Sequence, residues 1–233
     1  ASKMCEDELP VARGHLRMQE NSLSMANVFI NRPPATKSFL VFNASEIPIQ
    51  IERIVSPSYL TVNMASELMP RQVGKMEMTF DAQAKNKYGF ASESIELHTS
   101  DERQPVKYLS VYANLSEYFP PLSNDELKRA PLLVLDSASV HLGTVGLNQV
   151  TTRTVKVMNA GKQDLQIRDV QTNCHCVPAK VHTRTVKPGK HAQLTLTYQP
   201  TERTGTTLKA VSIYSNDPLK SALRLAVQAV VKE

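Results

Sequence analysis

Apolar and polar residues alternate along much of this chain with a period of two. Leu194, Leu196 and Tyr198 interleave with Thr195 and Thr197. Leu223, Leu225, Val227 and Ala229 interleave with Arg224, Ala226 and Gln228, and Val155 and Val157 with Thr154, Lys156 and Met158. In an extended strand the two sets point to opposite faces, one buried and one wet. Turn signals separate these bursts at residues 160–162, 187–190, 201–205 and 215–218, and earlier at 43–46, 85–89 and 100–105. Apolar residues do not recur at three- and four-residue spacing for long, so a helical fold is excluded. About seven short strands per ~100 residues predict an all-β fold of two-sheet antiparallel sandwiches of immunoglobulin-like type. The chain has no Trp, so the Cys…Trp…Cys signature of antibody domains is absent and the likeness is one of architecture.

The pattern occurs twice. At an offset of 116 residues, Phe42-Asn43-Ala44-Ser45 falls on Met158-Asn159-Ala160-Gly161, Ile49-Gln50-Ile51 on Leu165-Gln166-Ile167, Gly89 on Gly205, and Thr99-Ser100-Asp101 on Ser215-Asn216-Asp217. A repeat of this length marks two copies of one domain rather than a short-period solenoid. The predicted organisation is a flexible tail at 1–15, a first domain at 16–115, a linker at 116–131 and a second domain at 132–233. The linker contains Pro120-Pro121, which favours an extended form. It also contains Ser123 three residues before Glu126, a capping-box pattern that predicts a short helix ended by Pro131.

Charge divides the two copies. The net charge of +5 comes from residues 132–233, which carry 13 basic and 6 acidic side chains, whereas 1–115 and 116–131 are each at −1. No run approaches the ~18 apolar residues of a membrane-spanning helix. No secretory signal is visible at the polar, acidic start, which leaves a removed signal peptide as an expectation only.

Candidate chemistry concentrates in Thr172-Asn173-Cys174-His175-Cys176-Val177-Pro178. In an extended segment Cys174 and Cys176 share a face and His175 points away. Two thiolates on one face begin a metal site, for zinc or copper, with His182 and His191 as candidates for the remaining ligands. The plainer reading is that both are free cysteines acting as small hydrophobes at a sandwich end. A third is pairing between molecules. A bond between such close neighbours closes a small ring, and Cys5 lies in the tail, so a disulfide-stapled scaffold is not expected. A second cluster, read as a basic hairpin, holds Lys180, His182, Arg184, Lys187, Lys190 and His191. It suits an acidic protein or an anionic envelope component. Nucleic acid is disfavoured because Tyr198 and Tyr214 are the sole aromatics of that half. No nucleophile elbow, phosphate loop, dinucleotide fingerprint or His-Glu-x-x-His motif is present, and no enzyme activity is expected.

The second copy resembles a bacterial domain-of-unknown-function family with a Ser-Cys-Gly-Cys-Thr core motif, related to Hydin-like immunoglobulin-type domains. The pieces that carry the resemblance are His141-Leu142-Gly143-Thr144-Val145, Val157-Met158-Asn159-Ala160-Gly161, Asn173-Cys174-His175-Cys176-Val177, Val186-Lys187-Pro188-Gly189 and Ser215-Asn216-Asp217-Pro218. His175 replaces the family glycine, and Asn173 and Val177 replace the flanking Ser and Thr. The first copy resembles a diverged member with Ser58-Tyr59-Leu60 at the matching place. The resemblance implies an extracytoplasmic protein of Gram-negative bacteria and no catalytic residues. The expected function is a non-enzymatic, envelope-associated binding or assembly module. The alternatives are a metal-binding or thiol-redox module using Cys174 and Cys176, and a two-domain periplasmic chaperone.

Overall fold

A computed structural model describes residues 7–201 and 204–233. Cys5 and the first part of the expected tail lie outside the described residues. The chain divides into two compact units, Ala1–Tyr118 and Phe119–Glu233.

The first unit holds β1 (Val11–Arg13), β2 (Leu16–Met18), β3 (Ser22–Phe29), β4 (Ala35–Asn43), β5 (Ile49–Val55), β6 (Leu60–Asn63), β7 (Glu67–Leu68), β8 (Val73–Phe80), β9 (Gly89–Thr99) and β10 (Val106–Ser116). They form two five-stranded sheets, ordered β1-β2-β4-β8-β6 and β3-β10-β9-β5-β7. The second unit repeats this plan. It has β11 (Leu133–Leu135), β12 (Ser139–Gly146), β13 (Thr151–Asn159), β14 (Leu165–Thr172), β15 (Ala179–Val181), β16 (Thr185–Val186), β17 (His191–Tyr198), β18 (Gly205–Ser215) and β19 (Ala222–Lys232). Its sheets are ordered β11-β13-β17-β15 and β12-β19-β18-β14-β16.

Both units are all-β sandwiches. The alternating apolar sets meet between the sheets. Val155, Val157, Leu194, Leu196 and Tyr198 from one sheet pack with Val211, Ile213, Leu225, Val227 and Val231 from the other. The pairing is antiparallel except at one edge of each unit, where β3 runs parallel to β10 and β12 parallel to β19. The loop carrying the repeated Asn is also shared. Asn43 Nδ2 donates to the carbonyls of Ile47, Leu68 and Met69, and Asn159 Nδ2 to those of Gln163 and Val186.

Two expectations need correction. Residues 7–15 are not a tail. Gly14, at φ 67, turns β1 into β2, and β2 pairs with β4. Leu9 is buried, and the His15 backbone N–H donates to Asp101 Oδ2 at 2.7 Å. Three-residue strands are too short for a period of two to be recognised. The expected hairpin at 180–191 is paired only at its root. β15 joins β17 in one sheet, whereas β16 crosses to pair with β14 in the other. The expected helix is present as α2 (Asn124–Arg129), with the Ser123–Glu126 capping box formed. An unexpected one-turn helix, α1 (Ala82–Lys85), follows β8 and is capped by Asp81.

Candidate functional site

After β14 the chain leaves its sheet for the other one, where the carbonyl of Pro178, which has no N–H to donate, accepts from Thr197 N–H at 2.9 Å. It does so through a tight turn at residues 174–177, closed by Val177 N–H to Cys174 O at 3.1 Å. The turn is fixed from several sides. Thr172 Oγ1 donates to Cys174 O at 2.9 Å, and Gln199 N–H donates to Cys176 O at 3.0 Å. Asn173 exchanges two hydrogen bonds with the backbone of Ala210, and Val177 is buried in the core. His175 keeps a negative φ, since the non-glycine residues at positive φ among the described residues are Ala26, Arg71, Asn86 and Asn148. A glycine is therefore not required there.

The turn brings Cys174 and Cys176 together in a disulfide, with the Cα atoms 5.1 Å apart. This corrects the expectation of free thiols on one face of an extended segment. The curvature of the turn, not strand alternation, decides where the sulfurs point. The Cys176 N–H donates to Cys174 Sγ at 3.1 Å. In this bonded form neither sulfur is a thiolate, the species that binds metals. Nor are the histidines gathered there. His182 bonds Thr195 Oγ1 at 2.8 Å, and its backbone N–H meets Gln193 O, whereas Cys176 pairs at Gln199. Six residues of strand correspond to about 20 Å.

Both cysteines line a pocket of about 650 Å³ with His175, Tyr198, Gln199, Thr207 and Lys209. Tyr198 Oη and Thr207 Oγ1 lie 2.9 Å apart on its wall.

The first unit has the same turn but fills the corresponding space. Its turn is closed by Leu60 N–H to Pro57 O at 2.9 Å, and Asp81 N–H meets Tyr59 O as Gln199 N–H meets Cys176 O. The structural partners of Cys174-His175-Cys176 are therefore Pro57-Ser58-Tyr59, one residue earlier than the sequence offset suggests. The ladder places Glu93 opposite Val111 and Lys209 opposite Val227, so Lys209 stands where the first unit has Glu93. The Tyr59 ring packs on Phe80 at 5.7 Å, and its hydroxyl donates to Glu93 at 2.8 Å. Lys85 Nζ, brought in by α1, donates to Tyr59 Oη at 3.0 Å and to Glu93. Burial would lower the pKa of Lys85, but the hydrogen bonds to Glu93 and Tyr59 hold it above the ordinary lysine value. Among the described residues of the second unit, Cys176, Tyr198 and Lys209 replace Tyr59, Phe80 and Glu93 and line the pocket.

None of the six residues of the basic cluster lines this pocket. Lys180 and His182 are exposed beside β17, Arg184 donates to Arg168 O at 2.6 Å, and Lys187 pairs with Asp164 at 2.7 Å. Lys190 and His191 are exposed between Lys187 and β17. The cluster is thus spread over two sheets and partly neutralised. The sequence reading did not include Lys209, Gln199 or Thr207. Their signal is faint, residing only in the exchange of Glu93 for Lys209 between copies.

Residues 133–231 match a family described as "Protein of unknown function (DUF1573)", in keeping with the domain-of-unknown-function resemblance of the second copy. No curated protein matches the chain. A solved protein of unknown function from Porphyromonas gingivalis W83 is similar over 93% of this chain and 100% of its own, with 19% identity and a TM-score of 0.59. A PapD-like domain of human CEP192 covers 51% of this chain and 95% of its own, with 10% identity and a TM-score of 0.35. The YadV chaperone covers 92% of this chain and 99% of its own, with 7% identity and a TM-score of 0.32. At such identities the first likeness speaks to the fold alone. Among the described residues no helix is long and apolar enough to cross a membrane.

Proposed function

We infer that this chain is a non-enzymatic, extracytoplasmic binding module whose ligand seat is the disulfide-rimmed pocket of the second domain. One observation carries the reading. Two copies of one sandwich build the same turn, yet the first fills the adjoining space with Tyr59, Lys85 and Glu93, whereas the described residues of the second line a pocket there with Cys176, Tyr198 and Lys209. A pocket of this size falls in the range of small-ligand and side-chain sites. Its wall offers hydroxyls at Tyr198 and Thr207, an amide at Gln199 and an ammonium at Lys209, a set that suits an acceptor-rich or anionic ligand. The disulfide supports an oxidising compartment, in keeping with the envelope location implied by the family resemblance.

Rebuilding the plug tests this. The full chain carrying Cys174→Ser, Cys176→Tyr and Lys209→Glu is compared with the native chain for retention of components from an envelope extract. The native protein is expected to retain a ligand that the plugged variant loses. Equal retention by both would remove the pocket from the function.

A further inference from the structure

The disulfide contributes little that the fold needs. Cys174 and Cys176 are separated by a single residue, and a loop that short removes little conformational entropy from the unfolded chain. The turn is already held by Thr172, Asn173, Val177 and Gln199 through hydrogen bonds that involve neither sulfur. The first unit makes the same turn with Pro57-Ser58-Tyr59 and no sulfur at all. Both sulfur-bearing residues instead line the pocket, as does Lys209. A partly buried disulfide that shares a pocket with a cation is a setting in which exchange is favoured, since an incoming thiolate is attracted and a leaving thiolate is stabilised.

We propose that Cys174–Cys176 is an exchange-active disulfide and that the pocket seats a thiol carried on an acidic polypeptide. This rests on the pocket reading and names its partner class. The hydrogen bond from Cys176 N–H to Cys174 Sγ sets the direction. The partner thiolate attacks Cys176 Sγ. The bond between Cys174 and Cys176 breaks, and its electron pair leaves on Cys174 Sγ, where the Cys176 N–H already points. The product is a mixed disulfide between the partner and Cys176, with Cys174 as a thiolate. If the partner has a second thiol, that thiolate attacks the partner's own sulfur in the mixed disulfide and releases Cys176. The two electrons lost by the partner dithiol are those gained by Cys174 and Cys176, and the two thiol protons pass through solvent to the two new thiolates. A monothiol partner is held until Cys174 attacks back and releases it. Lys209 does not touch the reacting bond as a proton donor; it supplies the charge that selects acidic thiols.

The test uses the full, oxidised chain with Cys5→Ser, so that the pair alone reports. It is mixed with reduced glutathione, a peptidyl thiol of net negative charge, or with cysteamine, a cationic thiol, at equal thiolate concentrations. Samples are quenched with iodoacetamide and mapped by mass spectrometry while circular dichroism follows the fold. Glutathione is expected on Cys176 and the alkyl group on Cys174, with native circular dichroism throughout and glutathione faster than cysteamine. Lys209→Glu should slow glutathione roughly five- to tenfold, as expected for a two-charge change at a partly screened site, and reverse the preference. Opening of the bond only as fast as the chain unfolds would overturn the proposal, as would glutathione on Cys174 or an unchanged rate in Lys209→Glu. An inert disulfide in a chain whose ligand retention is still abolished by the plug would sink this inference and leave the pocket reading standing. Equal retention by native and plugged chains would sink the pocket reading.

Discussion

Lys107 Nζ lies 2.9 Å from Asp101 Oδ2, and neither side chain reaches solvent. The ammonium also donates to Thr99 Oγ1 at 2.9 Å and to Gln104 O at 2.6 Å, which satisfies all three of its protons. The second domain keeps the aspartate as Asp217, which accepts the Leu133 N–H, but has Leu223 in place of the lysine. The carboxylate therefore serves the fold in both copies, and the lysine in only one. Asp101→Ala should cost about 3–5 kcal/mol, because it strands a buried ammonium. Lys107→Leu should cost less, because the carboxylate it leaves keeps hydrogen bonds from the backbone N–H groups of His15 and Arg103, as Asp217 is held by backbone N–H groups in the second domain, where Leu223 takes the place of the lysine. Urea unfolding of the full chain, read on the unfolding of the first domain, ranks the two. Equal costs would make Lys107 as structural as Asp101.

The same pair fixes a pH dependence. Burial alone would raise the Asp101 carboxyl, but the Lys107 ammonium and hydrogen bonds from His15 outweigh it and hold it below its ordinary value of 3.8. A carboxyl with a depressed folded pKa contributes stability that is complete above the unfolded value and is lost as pH falls through the folded one. The first domain should accordingly lose stability below about pH 4. Melting curves between pH 6 and pH 2 are expected to show this loss in the native chain and a shallower one in Asp101→Asn.

The loop asparagine is a second shared device. Asn159 is 1% exposed; it donates to two carbonyls and accepts from Gly161 N–H at 2.9 Å. Asn159→Ala would leave the Gln163 and Val186 carbonyls and the Gly161 N–H without these partners. Each buried unsatisfied group costs about 1–3 kcal/mol, so a loss of about 3 kcal/mol is expected in the unfolding of the second domain in a urea titration, with that of the first unmoved. A change confined to a few tenths would show that water replaces the side chain.

Period-two alternation and the repeated Asn made both sandwiches legible in the sequence, because they are properties of neighbouring residues. What was hidden depends on residues far apart or on backbone curvature. β1 and β2 are three residues each, and their attachment comes from Asp101, eighty-six residues beyond His15. Residues 180–191 carry the turn signals of a hairpin, but Val186 is drawn into the opposite sheet by core packing at Leu165. The cysteine segment was placed in a strand because alternation has no term for a turn, and its partner segment was misplaced by one residue for the same reason. The pocket itself could not be read at all. Its counterpart in the first domain is filled by Tyr59, Lys85 and Glu93, and Lys85 arrives on α1, a one-turn helix that period-two alternation does not reveal.

The last expectation concerns the sulfurs and the fold. If the turn at 174–177 is held by its own hydrogen bonds, removing the disulfide should barely move stability. The chain-entropy relation for so short a loop gives about 1.5 kcal/mol at most, and the native-state contacts of Val177, Thr172 and Gln199 survive the change. Cys174→Ser with Cys176→Ser, and the native chain under reducing conditions, should both unfold within about 1.5 kcal/mol of the oxidised protein. Cys176 packs against the core edge, so its replacement by the more polar serine sets the upper end of that range. Guanidinium titrations of the three samples at equal concentration make the comparison. A loss of about 3 kcal/mol or more, the scale of a long-loop structural bridge, would assign the disulfide to holding the second sandwich closed rather than to chemistry at its pocket.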